Sequence, residues 1–220
     1  QDPLPPQVNV NFLHNHDQIG NRAFGERLTT LADPALLEVM TALLILAPPV
    51  PMLFMGEEWD ATTPFQFFVD FASDPDLSRA VREGRQREFA RFAAFGDADS
   101  VPDPTAGATF QRSKLAWAER NDPPHRDALA RNRALLDVRR TEITQLLAGR
   151  FLGAAVEQGT DVLDVTWRFD KGDLRLIANP TGIQHAVSLD AGWRVIHGAP
   201  DVSSIFPWSC IAAVRSSRDA

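Results

Sequence analysis

Thiols are almost absent from this chain of 220 residues, which contains a single cysteine, Cys210. One thiol excludes an internal disulfide framework and a metal site built from several thiolates. A lone cysteine is also compatible with a reducing compartment. We therefore expect a cytoplasmic protein in which Cys210 is an ordinary residue of the core.

An excess of positive charge is missing as well. Lys and Arg number 22 against 29 Asp and Glu, which gives a formal net charge of −7. Binding to the phosphate backbone of a nucleic acid needs clustered cations. The charge therefore predicts no nucleic-acid partner and fits a neutral or hydroxyl-rich ligand better.

Long hydrophobic runs are absent too. The longest apolar stretch, residues 35–55, contains Glu38 and is interrupted by Pro48, Pro49 and Pro51. It is too broken to supply the ~20 apolar residues of a membrane span. The opening residues also lack the pattern of a signal peptide. We expect no association with a membrane.

The residues up to position 60 follow a strand–helix–strand pattern. Residues 8–13 alternate and predict a strand, Asp33-Pro34 predicts a helix start with Asp as the N-cap, and residues 50–55 predict a buried strand. In βαβ units the working residues lie on loops at the carboxyl ends of the strands. We therefore expect the functional site in the two polar runs that follow these strands, residues 14–22 and 56–60.

Two amphipathic helices are predicted further along, over residues 76–95 and 124–147, with a long loop at 96–123 between them. The apolar face of the second helix repeats every seven residues, at Leu129, Leu136 and Ile143. Arginines lie off the apolar faces of both helices and are predicted to be solvated, among them Arg85 and Arg139.

Short strand-like segments follow one another from about residue 162 onwards. Their close spacing predicts an antiparallel β-sandwich. Because the pattern changes from helical to strand-like near residue 150, we expect two domains, at 1–150 and 151–220.

The polar run after the first strand places one acid among imidazoles and amides: Asn15-His16-Asp17-Gln18. Such a set can hydrogen-bond hydroxyl groups and stabilise a developing positive charge. Alternatively, His14 and His16 lie two residues apart on a strand and can bind a metal ion. A third interpretation is a solvated loop with an Asx-type cap. The spacing alone leaves all three open.

Two further groups of residues are candidates for the same site. Glu57 and Glu58 follow the second strand, and they either bind hydroxyl groups or cap the next segment. Aromatic faces stack on sugar rings, although packing in a core is the commoner fate of phenylalanine. Four phenylalanines lie near Asp70, at positions 65, 67, 68 and 71.

Together these segments resemble the α-amylase superfamily of glycoside hydrolases. Residues 12–17 are similar to the superfamily motif in which Asn-His-Asp ends the seventh barrel strand, and residues 52–58 are similar to the eighth strand with its exit loop. The glycogen branching enzymes have a similar Asn-His-Asp and Gly-Glu-Glu. Longer strings are similar to the malto-oligosyltrehalose trehalohydrolase branch, at 16–23, 64–70, 80–85, 110–117 and 207–209.

The resemblance implies retaining hydrolysis of the α-1,4-glucosidic bond beside the terminal trehalose unit of malto-oligosyltrehalose, with release of trehalose. Asp17 matches the acid that stabilises the transition state. No metal or organic cofactor is expected, because the family uses none for this chemistry. The expected substrate-binding residues are Asn15, His16, Gln18, Arg22, Glu57, Trp59, Phe68 and Asp70.

The implied fold is α/β plus all-β: the last two strands and helices of a TIM (β/α)8 barrel, followed by an antiparallel β-sandwich. A complete barrel takes ~250 residues, and the segments for the nucleophile and the acid/base precede these two strands. The resemblance thus implies the C-terminal portion of a longer enzyme, with its missing N-terminal part as partner.

The expected substrate is a malto-oligosaccharide, supplied in a pathway with malto-oligosyltrehalose synthase. Two alternatives stay open at this point. One is a glucan branching transferase of the same superfamily, and the other is a noncatalytic carbohydrate-binding fragment.

Overall fold

The structure is a computed structural model that describes residues 3–90, 101–157, 161–199 and 203–217. Its described residues cluster into two compact units. The first unit is drawn from Gln1–Leu13, Ala32–Leu53 and Asp127–Ala220, and the second from His14–Leu31 and Phe54–Arg126. The chain thus leaves the first unit directly after each of the two predicted barrel strands.

The described residues contain short and long helices in both units. None of these helices is long and apolar enough to cross a membrane. In chain order they are α1 (His16–Gly20), α2 (Leu28–Leu31), α3 (Pro34–Leu46), α4 (Pro75–Ala90), α5 (Gly107–Arg112), α6 (Pro123–Val138) and α7 (Thr144–Leu147). The strands are β1 (Val10–Asn11), β2 (Val50–Pro51), β3 (Phe151–Glu157), β4 (Leu163–Phe169), β5 (Gly172–Asn179), β6 (His185–Ala186), β7 (Arg194–His197), β8 (Ser204–Ile205) and β9 (Ser209–Ser216).

The predicted strand–helix–strand unit is present at the start of the chain. β1 and β2 pair in parallel, with Val10 opposite Val50, and α3 connects them. The Asp33 side chain caps α3 by accepting a hydrogen bond from the Ala35 N–H at 2.8 Å. Both strands are shorter than predicted, because ladder pairing in the described residues extends over only two positions of each.

The second long helix is interrupted, which corrects its predicted face. α6 ends at Val138, and a π-helical turn at Arg139–Ile143 precedes α7. A π turn inserts an extra residue into a helix, so a seven-residue repeat does not stay on one side. Leu136 is accordingly exposed while Ile143 is buried. The buried face of α6 runs instead through Ala128, Asn132 and Leu135.

Arg139 was predicted to be solvated, and this prediction is wrong. Its guanidinium lies at the carboxyl end of α3 and donates hydrogen bonds to the carbonyl oxygens of Ile45 (2.8 Å), Pro48 (3.2 Å) and Pro49 (2.8 Å), and also to that of Ala47. The last carbonyls of a helix have no intrahelical partners. A cation placed there satisfies them and complements the negative end of the helix dipole.

The C-terminal residues form two antiparallel sheets, as predicted. The larger has five strands in the order β3-β4-β5-β9-β7, and the smaller pairs β6 with β8. Side chains of β5 alternate between two cores: Leu174 and Leu176 pack in the core that contains α3, whereas Ile177 packs with Ile205 of the small sheet. Cys210 is buried in the first core, and burial raises the pKa of its thiol to about 12.

Arg85 of α4 was also predicted to be solvated, and it is buried instead. Its guanidinium donates hydrogen bonds to the carbonyl oxygens of Gly20 (2.6 Å) and Arg22 (2.8 Å). It also lies 4.9 Å from the ring centroids of Phe67 and Phe89. The charge is therefore used inside the second unit, where it holds the end of α1 against α4.

The segment predicted as one long loop, 96–123, has secondary structure in its described part. It contains α5 and a 3-10 turn at Trp117–Asn121. The helix predicted to precede this loop is α4, and its predicted last residues, 91–95, lie outside the described part of the chain.

Candidate active site

The first polar run begins α1, and two of its amides form a capping box. The Asn15 Oδ1 atom accepts a hydrogen bond from the Asp17 N–H at 2.7 Å. In return, the Gln18 Oε1 atom accepts one from the Asn15 N–H at 2.9 Å. This reciprocal arrangement satisfies backbone donors that a helix start otherwise leaves unpaired. Two predicted substrate-binding residues therefore also fix the turn that carries His16 and Asp17.

His16 and Asp17 project from this turn into solvent. Their side chains are 68% and 66% exposed, and the His16 Nε2 atom lies 3.3 Å from Asp17 Oδ1. The backbone beneath them is held by the capping box, so the carboxylate has a fixed base and an open face. A ligand can reach this carboxylate from the solvent side, with His16 as its neighbour in the protein.

The second polar run folds its two acids back onto its own backbone. The Glu57 Oε2 atom accepts a hydrogen bond from the Phe54 N–H, and the Glu58 Oε2 atom accepts one from the Gly56 N–H at 2.7 Å. Gly56 has a φ of 92°, and a Cβ atom on it would lie 2.8 Å from the Ala61 Cβ atom. Glycine is thus required for this tight turn, in which the acids act as caps.

A buried cluster of charged and titratable side chains lies behind both runs. His14 is 3% exposed, and its Nε2 atom lies 3.2 Å from Glu57 Oε1. Arg27 is buried nearby. It donates hydrogen bonds to the carbonyl oxygens of Thr63 (2.5 Å) and Met55 (2.9 Å). Arg27 had no predicted role, and His14 was predicted only as one of two histidines that can bind a metal ion.

Burial shifts the pKa values of two side chains in this cluster. It raises the pKa of Glu57 to about 7, against the lowering effects of the Phe54 N–H and Arg27. It lowers the pKa of His14 to about 4, and the positive charges of Arg27 and Arg22 lower it further. A charged group is costly to bury, so the neutral form is favoured on both partners. Near neutral pH His14 and Glu57 are accordingly not an ion pair of two full charges.

Aromatic rings continue from this cluster to a cleft in the same unit. Ring centroids lie 5.1 Å apart for Phe54 and Phe65, 5.7 Å for Phe65 and Phe68, and 5.1 Å for Phe68 and Phe110, all in edge-to-face contact. The cleft has a volume of about 400 Å³, and its lining includes Phe68, Asp70 and Phe110. Phe110 is 42% exposed. The rings therefore both fill the core and present an aromatic surface beside a carboxylate.

Two other predicted residues are turned inward. Trp59 is buried and packs against Trp117, with 5.2 Å between ring centroids, and it is the Trp117 ring that is exposed. The Arg22 Nη1 atom donates a hydrogen bond to the carbonyl oxygen of Glu26 at 2.5 Å. Burial of the Trp59 ring argues against its predicted contact with substrate. Trp117, which the sequence analysis did not single out, is the aromatic surface at this place.

The metal interpretation of the two neighbouring histidines finds no geometric support. His14 is buried against Glu57, whereas His16 is exposed beside Asp17. Among the residues that the structure describes, no three His, Cys, Asp or Glu side chains come together as a set that could hold a metal ion.

Curated proteins with similar sequences share one name. The chain is 49% identical over 141 residues to a malto-oligosyltrehalose trehalohydrolase of Deinococcus radiodurans, a match that covers 64% of this chain and 23% of that protein. It is 45% identical over 198 residues to the protein of that name from Brevibacterium helvolum, with 90% of this chain and 31% of that protein covered. The chain thus spans between about a quarter and a third of these relatives. No protein-family model matches it.

A solved structure agrees with the sequence matches. The crystal structure of a Salmonella typhimurium protein assigned as an α-amylase superposes with a TM-score of 0.87 at 40% identity, over 96% of this chain and 36% of that one. By sequence and by fold, the chain belongs to the α-amylase superfamily of glycoside hydrolases. Within it, the sequence matches the malto-oligosyltrehalose trehalohydrolases, as its motifs predicted. The predicted fold class, the C-terminal part of a TIM barrel followed by an antiparallel β-sandwich, is confirmed.

Proposed function

We propose that the whole protein containing this sequence is a retaining glycoside hydrolase. It cleaves the α-1,4-glucosidic bond beside the terminal trehalose unit of malto-oligosyltrehalose and releases trehalose. The observation that carries this proposal is the 42–49% identity to proteins named malto-oligosyltrehalose trehalohydrolase. The substrate is a neutral, hydroxyl-rich chain, which suits the net charge of −7.

Asp17 has the central role in this proposal. Cleavage of a glycosidic bond passes through a transition state with positive charge on the sugar ring, and a carboxylate beside the ring stabilises that charge. The exposed Asp17 side chain on its capped turn supports this assignment. The nucleophile and the acid/base, about 5–5.5 Å apart in a retaining enzyme, come from segments outside this sequence.

The substrate-binding surface is proposed to extend from the turn at His16 to the aromatic cleft. Phe68 and Phe110 offer ring surfaces for stacking on glucose units, and the Asp70 carboxylate can accept hydrogen bonds from their hydroxyl groups. We also propose a division near residue 150 between the catalytic barrel and the β-sandwich domain. Cytoplasmic location and supply of substrate by a malto-oligosyltrehalose synthase complete the proposal.

The test uses the whole protein and malto-oligosyltrehalose, with release of trehalose as the readout. Asp17→Asn should lower kcat by about 100-fold or more, because an amide cannot offset the charge of the transition state. Asp76→Asn, at an exposed aspartate of α4, is the matched control and should keep wild-type turnover. Near-wild-type turnover of Asp17→Asn would show that its assigned role is wrong.

A glucan branching transferase is the second candidate, since those enzymes have similar Asn-His-Asp and Gly-Glu-Glu motifs. Incubation of the whole protein with amylose separates the two activities. New α-1,6 linkages without trehalose release from malto-oligosyltrehalose would show that the protein is a branching transferase and that the proposed hydrolysis is wrong. Absence of both activities would favour a noncatalytic carbohydrate-binding role.

A further inference from the structure

The loop that carries Asp17 and the loop that carries Glu57 meet at one buried side chain. His14 directly precedes the cap residue Asn15, and its imidazole reaches Glu57 Oε1 at 3.2 Å. The ring of His14 also contacts the Phe54 ring edge-on, with 6.4 Å between centroids.

The Glu57 carboxylate faces the protein rather than the solvent. Its side chain is 12% exposed, its Oε2 atom accepts the Phe54 N–H, and its Oε1 atom faces His14. A hydroxyl group of a substrate would have to displace these contacts to reach it. The geometry therefore gives Glu57 a role inside the protein, in place of the predicted direct contact with substrate.

We propose that His14 and Glu57 are positioning residues for Asp17: their contact fixes the capped turn of α1 against the loop that follows β2. The chain of contacts is short and runs from Glu57 to His14, through the Asn15 cap, to the Asp17 backbone N–H. Arg27 fixes the loop that follows β2 by donating a hydrogen bond to the Met55 carbonyl oxygen. This inference rests on the proposed function, in which Asp17 acts on the sugar ring.

The charges around the pair are consistent with a close contact between two neutral groups. Arg27 and Arg22 face His14, and Arg27, Glu58 and Asp60 face Glu57. The positive charge of Arg27 near Glu57 is thus opposed by the negative charges of Glu58 and Asp60, which lie on the same loop as Glu57. Because His14 and Glu57 favour their neutral forms, the contact depends on the close packing of the two buried side chains more than on ionic attraction.

The chain supplies a matched control in a second His–Glu pair of the same unit. The His125 Nε2 atom lies 3.3 Å from Glu119 Oε1, both side chains are largely buried, and the His125 Nδ1 atom lies 2.9 Å from the Trp59 carbonyl oxygen. This pair contacts the backbone at Trp59, and none of these contacts reaches Glu57 or the Asp17 turn.

The experiment compares His14→Leu, His14→Gln and His125→Leu in the whole protein. We expect His14→Leu to lower kcat for trehalose release by about 100-fold, the effect of a misplacement near 1 Å, with KM within about twofold. His14→Gln keeps a hydrogen-bonding group and should recover most of kcat. His125→Leu should keep kcat within about twofold even where it lowers the melting temperature as much as His14→Leu does.

Hydrogen exchange gives a readout that does not need activity. His14→Leu should speed amide exchange in the peptide covering Asn15 to Gly20, and His125→Leu should not. Unchanged exchange there, or a kcat loss equal in both leucine variants, would overturn the inference. If His14→Leu does not fold, Glu57→Leu replaces it, and wild-type kcat and exchange in that variant would overturn the inference equally. Absence of trehalose release from the wild type contradicts the proposed function alone, since the exchange result still decides the positioning role.

Discussion

The buried pair of His14 and Glu57 leads to a specific prediction about pH and stability. Burial raises the pKa of Glu57 from 4.5 to about 7 and lowers that of His14 from 6.5 to about 4. In the unfolded chain near about pH 5.5 the imidazole therefore carries the proton, whereas in the folded protein the carboxyl group carries it. Folding moves one proton from His14 to Glu57, and the pair as a whole neither takes up nor releases one.

Each displacement is about 2.5 pH units, which corresponds to about 3 kcal/mol. The stabilising contribution of Glu57 is fully present below pH 4.5 and is lost as the pH rises to about 7, since the folded state holds the proton longer. The contribution of His14 is present above pH 6.5 and is lost as the pH falls to about 4. Between about pH 4.5 and 6.5 the two slopes cancel in the wild type.

Removing one member of the pair should reveal the pH dependence of stability that comes from the other. Relative to wild type, we expect Glu57→Gln to lose about 3 kcal/mol of stability as the pH is lowered from about 7 to about 4.5. His14→Gln should gain about as much as the pH is lowered from about 6.5 to about 4. Burial is the largest cause of both displacements, and it persists because glutamine fills similar space.

Thermal or urea unfolding of the whole protein, measured at several pH values, provides the assay. The difference between variant and wild type at each pH removes contributions common to both proteins. The double variant His14→Gln with Glu57→Gln is an internal control, because its difference from wild type should again be flat between about pH 4.5 and 6.5. A Glu57→Gln difference that stays constant between about pH 4.5 and 7 would refute the reasoning, since it would mean that folding does not raise the pKa of Glu57.

Three further predictions concern stability and use the same unfolding assay. Arg139→Met should destabilise by about 3 kcal/mol, because carbonyl oxygens at the end of α3 lose their donors, while the exposed Arg140→Met should change stability by under about 0.5 kcal/mol. Asn179→Ala should destabilise by about 3 kcal/mol, because its buried amide serves two carbonyl oxygens and a backbone N–H. Gly56→Ala should destabilise by about 2 kcal/mol, because the new Cβ atom would meet two side chains at 2.8 Å. Changes near zero would contradict each assignment.

The sequence predicted those parts of the fold that depend on local signals. Asp33 caps α3 where the Asp-Pro pair predicted a helix start. The close spacing of short strand-like segments also indicated the antiparallel sheets. In each case the information lies within a few residues, so a single sequence contains it.

The errors concern contacts between distant segments. Arg85 and Arg139 were predicted to be solvated because their charge usually means exposure. Each is instead drawn in by carbonyl oxygens at a helix end that lies far away in the sequence. The seven-residue repeat gives no sign of the π turn after Val138. The predicted face therefore assumed one regular helix. No periodicity of the chain contains this information, since it depends on which helix end packs against which arginine.

The candidate site depends both on local signals and on contacts between distant segments. Asp17 was predicted as the acid that stabilises the transition state, whereas Asn15 and Glu57 were predicted to bind substrate; all three are polar residues that follow strands. The structure separates them by direction: the Asn15 oxygen turns back to cap α1, Glu57 turns inward to His14, and the Asp17 carboxylate is left exposed. An acid that must stabilise charge on a substrate needs rigid support and an unoccupied face at the same time. Two inward-turned neighbours on separate loops supply the support, which is why a loss of function at His14 or Glu57 would not by itself indicate contact with the sugar.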